Sequence, residues 1–264
     1  MTSTSPRKPP TIPELKALKA ELDRLYLENN TPEFIPLDPV KFPHSYAPGP
    51  DREIAAFLAS AIAWGRRDLI LKSAEKMFAL LGPSPYTFVM EGNYRKLSGR
   101  RRCIHRTFFE EDLKYFCRGF RACYTRYGSL EALFGSAGNI WEGISLFRET
   151  MAQANSLAGN HGQYSKHIAN PASGAACKRL NLALRWLVRR EGPVDLGLWK
   201  THSPSSLFIP LDLHVGRAAR HLGLLEKGRQ ANDKKAVISL TEKLREFCPE
   251  DPVKYDLALF KYDF

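Results

Sequence analysis

Apolar residues in this chain recur at the spacing of an α-helix, and most such runs are closed by glycine or proline. Leu15, Leu18, Leu22 and Leu25 form one stripe after Pro13, and that run ends near Asn29-Asn30. A second covers Leu69 to Leu81 and stops at Gly82-Pro83. Between Asn30 and Pro50, prolines keep the chain extended and wrapping. Asp51 is placed to cap a helix that ends at Gly65, and Thr107 to Glu110 has the form of a capping box opening a long helix toward Gly128. Ile140 to Asn155 reads as a further helix, followed by a polar loop from His161 to Pro171. Ala175 to Arg190 is amphipathic, with Leu180, Leu184, Leu187 and Val188 on one face. Helices are also predicted over Asp212 to Leu224 and Asp233 to Phe247, and a last one opens at Asp251-Pro252. No strand pair and no solenoid repeat emerges. The predicted fold class is all-α.

The 264 residues, 44% of them hydrophobic, suffice for one substantial core. Residues 1–13, rich in Ser, Thr and Pro, read as a disordered tail, leaving 14–264 as a single domain. Lys and Arg outnumber Asp and Glu by 39 to 28, a net charge of +11. That excess favours a polyanionic partner, nucleic acid ahead of an anionic membrane. The nearly apolar run from Ala55 to Trp64 is too short to span a bilayer, so no membrane role is expected. Five cysteines without a CxxC pair fit neither a zinc ribbon nor a disulfide framework, and point to reduced thiols in the cytoplasm.

The pentapeptide Phe-Ile-Pro-Leu-Asp occurs twice, at Phe34 to Asp38 and at Phe208 to Asp212. The first copy sits in the proline-punctuated segment with no lysine partner, and Asp38 reads as structural. The second runs straight into the helix His214-Val-Gly-Arg217 and follows a helix that bears Lys178. Asp212 is thus either a helix cap or a carboxylate paired with Lys178 for imine chemistry on a sugar carbon. The small residues Ala172 to Ala176 ahead of Lys178 form either a phosphate seat at a helix start or an ordinary loop-to-helix junction.

Here the chain resembles the helix-hairpin-helix/Gly-Pro-Asp superfamily of DNA glycosylases. Ser173-Gly-Ala-Ala-Cys-Lys178 matches the hairpin and its lysine, and Leu211-Asp-Leu-His-Val-Gly-Arg217 matches the aspartate strip. The spacing is similar to the archaeal 8-oxoguanine DNA glycosylase branch, and most of the chain resembles a bacterial domain family of unknown function, DUF2400. The usual Pro-Gly-x-Gly of the hairpin is Ser173-Gly174-Ala175-Ala176 here, and the four-cysteine cluster of the endonuclease III branch has no counterpart. The resemblance implies a two-lobed helical glycosylase fold with a helix-hairpin-helix element, acting as a monomer on double-stranded DNA that carries a damaged base. Its implied activity is that of a bifunctional N-glycosylase/AP lyase for an oxidised base, 8-oxoguanine first, working at the nucleoid. The other reading is a non-catalytic DNA-binding module.

On that resemblance Lys178 and Asp212 carry the chemistry. Ser173, Gly174, Ala175, Ala176 and Arg217 contact DNA, joined by Arg66, Arg67 and Arg101. Trp64, Tyr255 and Asp256 contribute to the base pocket. Trp64 is equally well a core residue with solvated arginines beside it. The basic stretch Ser98 to Arg102, with His105 and Arg106, suits either phosphate or solvent. Asp-x-His at 212 and 214 is a poor ligand set, so no metal and no cofactor is expected. Cys177 reads as a packing residue.

Overall fold

A computed structural model describes residues 12–98, 102–158 and 164–262. Its helices run in the order α1 (Ile12–Asn29), α2 (Lys41–His44), α3 (Pro50–Ala61), α4 (Arg67–Leu81), α5 (Pro85–Met90), α6 (Glu110–Tyr127), α7 (Leu130–Gly135) and α8 (Ile140–Leu157). They continue with α9 (Lys178–Val188), α10 (Leu213–His221), α11 (Lys234–Phe247) and α12 (Asp256–Lys261). The chain is therefore mostly helical, as its periodicity predicts. Of the expected tail, residues 1–11 lie outside the described residues, and α1 already includes Ile12 and Pro13. Among the described residues no helix is long and apolar enough to cross a membrane.

One strand pair escapes the sequence pattern. Strands β1 (Cys103–His105) and β2 (Phe108–Phe109) form an antiparallel hairpin, with Arg106 at its turn in left-handed backbone. Strands of two and three residues are too short for an alternating pattern to register. The capping box also shifts: Asp112 accepts from Phe109 N (2.8 Å), whereas Glu110 reaches back to Ser98 N and Oγ (2.7 Å each). Asp51 caps α5 rather than α3, accepting from Tyr86 N at 2.7 Å. The C-terminal helix is preceded by a 3-10 turn, Pro252–Tyr255, with Asp251 capping Lys254 N at 3.2 Å.

The core is organised around α3, whose residues from Glu53 to Ala61 are all buried. Phe57 meets the rings of Phe147, Phe134, Trp199 and Phe120 at centroid distances of 5.0 to 6.3 Å. This aromatic cluster joins α3 to α6, α7 and α8. On the same helix the buried Glu53 carboxylate accepts from Tyr124 Oη and Trp199 Nε1 (2.6 Å each) and from the first amides of α7, Leu130 N (3.2 Å) and Glu131 N (3.1 Å). A carboxylate at a helix start satisfies amides that the helix itself leaves open. The other group of helices brings the two ends of the chain together, with α1 and α10 packed on α12.

Helix α9 packs against α3 and is tied to the second group through charge. Arg189, fully buried, donates from Nε to both oxygens of Asp251 (3.0 and 2.8 Å), from Nη2 to Tyr26 Oη (3.1 Å) and from Nη1 to Asp195. One turn earlier, Arg185 donates to Asp195 Oδ1 (3.2 Å) and to Asp256. Removing one partner of such a buried pair leaves the others uncompensated. Arg189→Met is expected to destabilise the fold by about 3–5 kcal/mol in urea unfolding. A loss under about 1 kcal/mol would show that the network carries little of the stability.

Candidate active site

Lys178 owes its position to the residue before it. Cys177 takes a left-handed backbone (φ 51°), uncommon outside glycine, and so turns the chain abruptly into α9. The helix starts later than its amphipathic pattern predicts because the preceding residues pair elsewhere. Ala175 bridges Asp233, and Lys234 N donates to Gly174 O at 2.8 Å. Burial pushes the Cys177 thiol up to about 12, which leaves it a packing group. The first two side chains of α9 then reach across to the end of α3. Lys178 Nζ donates to Ala63 O (3.1 Å) and Arg179 Nη1 to Ala61 O (2.6 Å), satisfying carbonyls at a helix C-terminus.

Asp212 caps α10 and also stands beside Lys178. Its Oδ1 accepts from Val215 N at 2.9 Å as the cap of α10, while its Oδ2 lies 3.7 Å from Lys178 Nζ. The second contact is an ion pair longer than a hydrogen bond. The Asp212 carbonyl is held by Asn232 Nδ2 (2.8 Å), and Asn232 in turn by Arg220 Nη1 (2.8 Å). Arg220 is buried and committed to the carbonyls of Gly216, Arg229 and Ala231, so it is a scaffold group rather than a phosphate contact.

Two cavities meet at this pair, sharing Lys178, Asp212 and the turn from Ala63 to Gly65. The inner one, about 150 Å³, has Phe34, Trp64 and Phe260 in its wall together with Asp38, Arg67 and Asp256. The outer one, about 590 Å³, opens past Arg179, His167 and Leu213, and Leu213 is 70% exposed. Trp64 belongs to both. Its ring stacks on His167 (5.6 Å), carries Arg179 on one face (4.9 Å) and takes the edge of His105 (4.8 Å). Arg67 lies over the Phe260 ring at 4.7 Å.

Asp38 corrects the sequence reading. It lines the inner cavity beside Lys178, so the closing aspartates of both pentapeptides converge on one site. Its Oδ1 accepts from Val40 N (3.1 Å), and burial raises its carboxyl above the usual range against the pull of Val40 N, Arg185, Arg67 and Lys178. The repetition itself is the signal, and the local flanks of Asp38 hide it. Sequence reasoning misses Arg185 and Phe260 as well, since a single arginine on an amphipathic helix looks solvated.

The remaining expected residues scatter. In the hairpin, a 3-10 turn (Pro171–Ser173) stands directly before Gly174, where a helix-hairpin-helix element would have an α-helix. Gly174 takes φ 81°, and Ser173 Oγ donates to Asn170 O (2.8 Å). Ser173 and Gly174 are exposed, while Ala175 and Ala176 are half-buried at the approach to α9. None of the four lines either cavity. Arg66 points to solvent and pairs with Asp68 (2.8 Å), and Arg217 is exposed on α10. Arg101 lies outside the described residues. Tyr255 is fully buried, donating to Asp23 Oδ1 at 3.0 Å, and lines neither cavity. Among the described residues no group of three or more His, Cys, Asp or Glu side chains could hold a metal ion.

Burial holds the Asp256 carboxyl up at about 6, against the pull of Arg185. An unfolded aspartate titrates near about 3.9. Between those values the folded chain keeps the extra proton, so this group lowers stability as pH rises from about 4 to about 6. Asp256→Asn removes that titration. Relative to the native chain the variant is expected to gain up to about 3 kcal/mol between about pH 4 and pH 7, measured by urea unfolding. A difference flat with pH would contradict a raised, buried carboxyl.

No curated protein and no solved structure matches this chain. A family model does match, over residues 38–264, described as a protein of unknown function, DUF2400. The match begins at Asp38 and takes in Lys178, Asp212 and Asp256, so every charged residue around the two cavities falls within it. With most of its length covered by that model, the chain belongs to the DUF2400 family.

Proposed function

We infer that the protein is a DNA N-glycosylase with AP lyase activity, removing an oxidised base, 8-oxoguanine first, from duplex DNA. One observation carries the reading: Lys178 and Asp212 stand 3.7 Å apart where a small cavity meets a larger, more open one. Chemistry on a base within a duplex requires that the base leave the stack and enter a closed pocket while its sugar and phosphates stay outside. The inner cavity, with Phe34, Trp64 and Phe260 in its wall, offers aromatic faces to a flat base. The net charge of +11 suits a polyanionic substrate. The grouping of α6, α7 and α8 apart from α1, α10 and α12 is compatible with the two lobes that such a cleft needs.

In this mechanism Asp212 takes a proton from Lys178, and the amine attacks C1′ of the flipped nucleotide. The C1′–N bond to the base breaks, and the base leaves with a proton. Opening of the sugar gives a C1′=Nζ imine, O4′ taking up a proton. Loss of a C2′ proton then breaks the C3′–O bond and releases the 3′ phosphate. Asp212 opposes the positive charge that develops at C1′ and on the imine. No cofactor enters these steps. The protein would act as a monomer at the nucleoid.

A non-catalytic DNA-binding protein is the competing reading, favoured by the bond from Lys178 to Ala63 O, which serves equally as a clamp on α3. Incubation with duplexes carrying 8-oxoguanine or an abasic site, followed by borohydride, separates the two. The native chain is expected to form a covalent adduct, and Lys178→Ala none. Asp212→Asn should lower single-turnover rates about 10²–10³-fold yet cost under about 1 kcal/mol, because asparagine caps a helix as well as aspartate. DNA binding without adduct or nick by the native chain would refute the enzymatic reading.

A further inference from the structure

Away from the Lys178 cleft, a groove of about 620 Å³ runs between α6 and α8. Gly119 lets the two helices approach closely: a Cβ there would meet Met151 Sδ at 2.0 Å. Beside this crossing, Arg118, Arg121, Ala122 and Thr125 follow one another at helical spacing along one wall of α6. Thr150, Gln153, Ala154 and Leu157 do the same along α8. Alanines at 122 and 154 keep the floor low, and Arg95 and Arg126 complete the rim.

Charge sets this groove apart. Several exposed arginines elsewhere are neutralised: Arg24 by Glu21 and Glu28, Arg66 by Asp68, Arg229 by Asp233. Here no carboxylate lines the groove among the described residues. Arg95 and Arg126 rest on the rings of Tyr94 (5.7 Å) and Tyr127 (5.2 Å). Arg118 donates to the neutral Asn155 Oδ1 (3.2 Å), with Glu111 only at 3.8 Å. Arg121 has no ion pair among the described residues. Arg95, Arg121 and Arg126, with no ion pair among the described residues, and Arg118, with only a distant one, keep their forks available to an outside anion, and that fork matches phosphate oxygens two at a time.

We propose that the α6–α8 groove is a phosphate-binding surface that takes a row of backbone phosphates of a nucleic acid. From Arg118 to Arg126 the helix rises about 12 Å, the length of about three to four steps of a strand at ~3.4 Å each. The ligand is thus elongated rather than a single ion. The site uses neither Lys178 nor Asp212, so it stands whether or not the cleft is an enzyme.

The test is duplex binding as a function of salt. Each phosphate neutralised by the protein adds about 0.9 to the slope of log association constant against log salt. Arg121→Gln/Arg126→Gln is therefore expected to make that slope shallower by about 1 to 2. That is roughly a tenfold smaller fall in affinity between about 50 and 200 mM salt. Arg121→Lys/Arg126→Lys should keep most of the native slope, and circular dichroism should show both variants equally helical. Lys16→Gln/Lys243→Gln, on α1 and α11, removes the same charge elsewhere and should leave the slope near native. Inorganic pyrophosphate is the second arm. If it raises the melting temperature of the native chain but not of the glutamine variant, while the DNA slope is unchanged, the groove takes free phosphate esters and the backbone proposal is overturned. An unchanged slope together with no pyrophosphate effect overturns it too. So does an equal slope change in the control pair, or protection by polyglutamate alone.

Discussion

Two buried arginines, Arg185 in the last turn of α9 and Arg189 at its C-cap, hold this molecule in register. Arg189 joins α1 through Tyr26 and the C-terminal turn through Asp251, and both arginines share Asp195. Arg185 extends the set to Asp256 in the wall of the inner cavity. Charges this deep contribute little net stability unless every partner is satisfied, but a wrong arrangement is very costly. The network therefore acts mainly as a specification. Only one placement of α9 satisfies it, and Lys178 stands at the start of that helix. The position of the site lysine follows from ion pairs formed at the far end of the same helix.

A second consequence concerns charge within the inner cavity. Asp38, Asp212 and Asp256 line this space together with Lys178, Arg67 and Arg185, and Arg185 donates directly to Asp256. Burial raises the carboxyls of Asp38 and Asp256, and each cation opposes that rise. A ligand that brings acceptors to this wall meets Arg67, and one that brings donors meets the carboxylates. The wall interleaves these charges with the rings of Phe34, Trp64 and Phe260, and Arg67 lies over Phe260 itself.

Much of the helical framework is legible in the sequence because caps and apolar periods are local signals. Asp212 and Asp233 each cap the helix that follows them, where the sequence places those helices. The Lys178–Asp212 pair is legible through a motif that spans one helix and a turn. What does not show is convergence. Asp38 reaches the cavity from the far end of the chain, and no local pattern records that journey. Tyr255 and Asp256 are neighbours in sequence, yet only Asp256 meets the cavity; the turn between them sends Tyr255 to Asp23. Arg185 and Arg189 carry the charge of solvent-facing residues, and only the fold shows that three aspartates await them.

The bond from Lys178 to Ala63 O has a thermodynamic corollary. The same ammonium that faces Asp212 also holds the turn from which Trp64 projects, and Trp64 is common to both cavities. Whatever draws Lys178 away from Ala63 loosens the hold on that turn. Reciprocally, whatever displaces the Trp64 turn frees the lysine by the same amount of free energy. The two cavities therefore share a wall, the turn from Ala63 to Gly65, that a hydrogen bond from Lys178 holds.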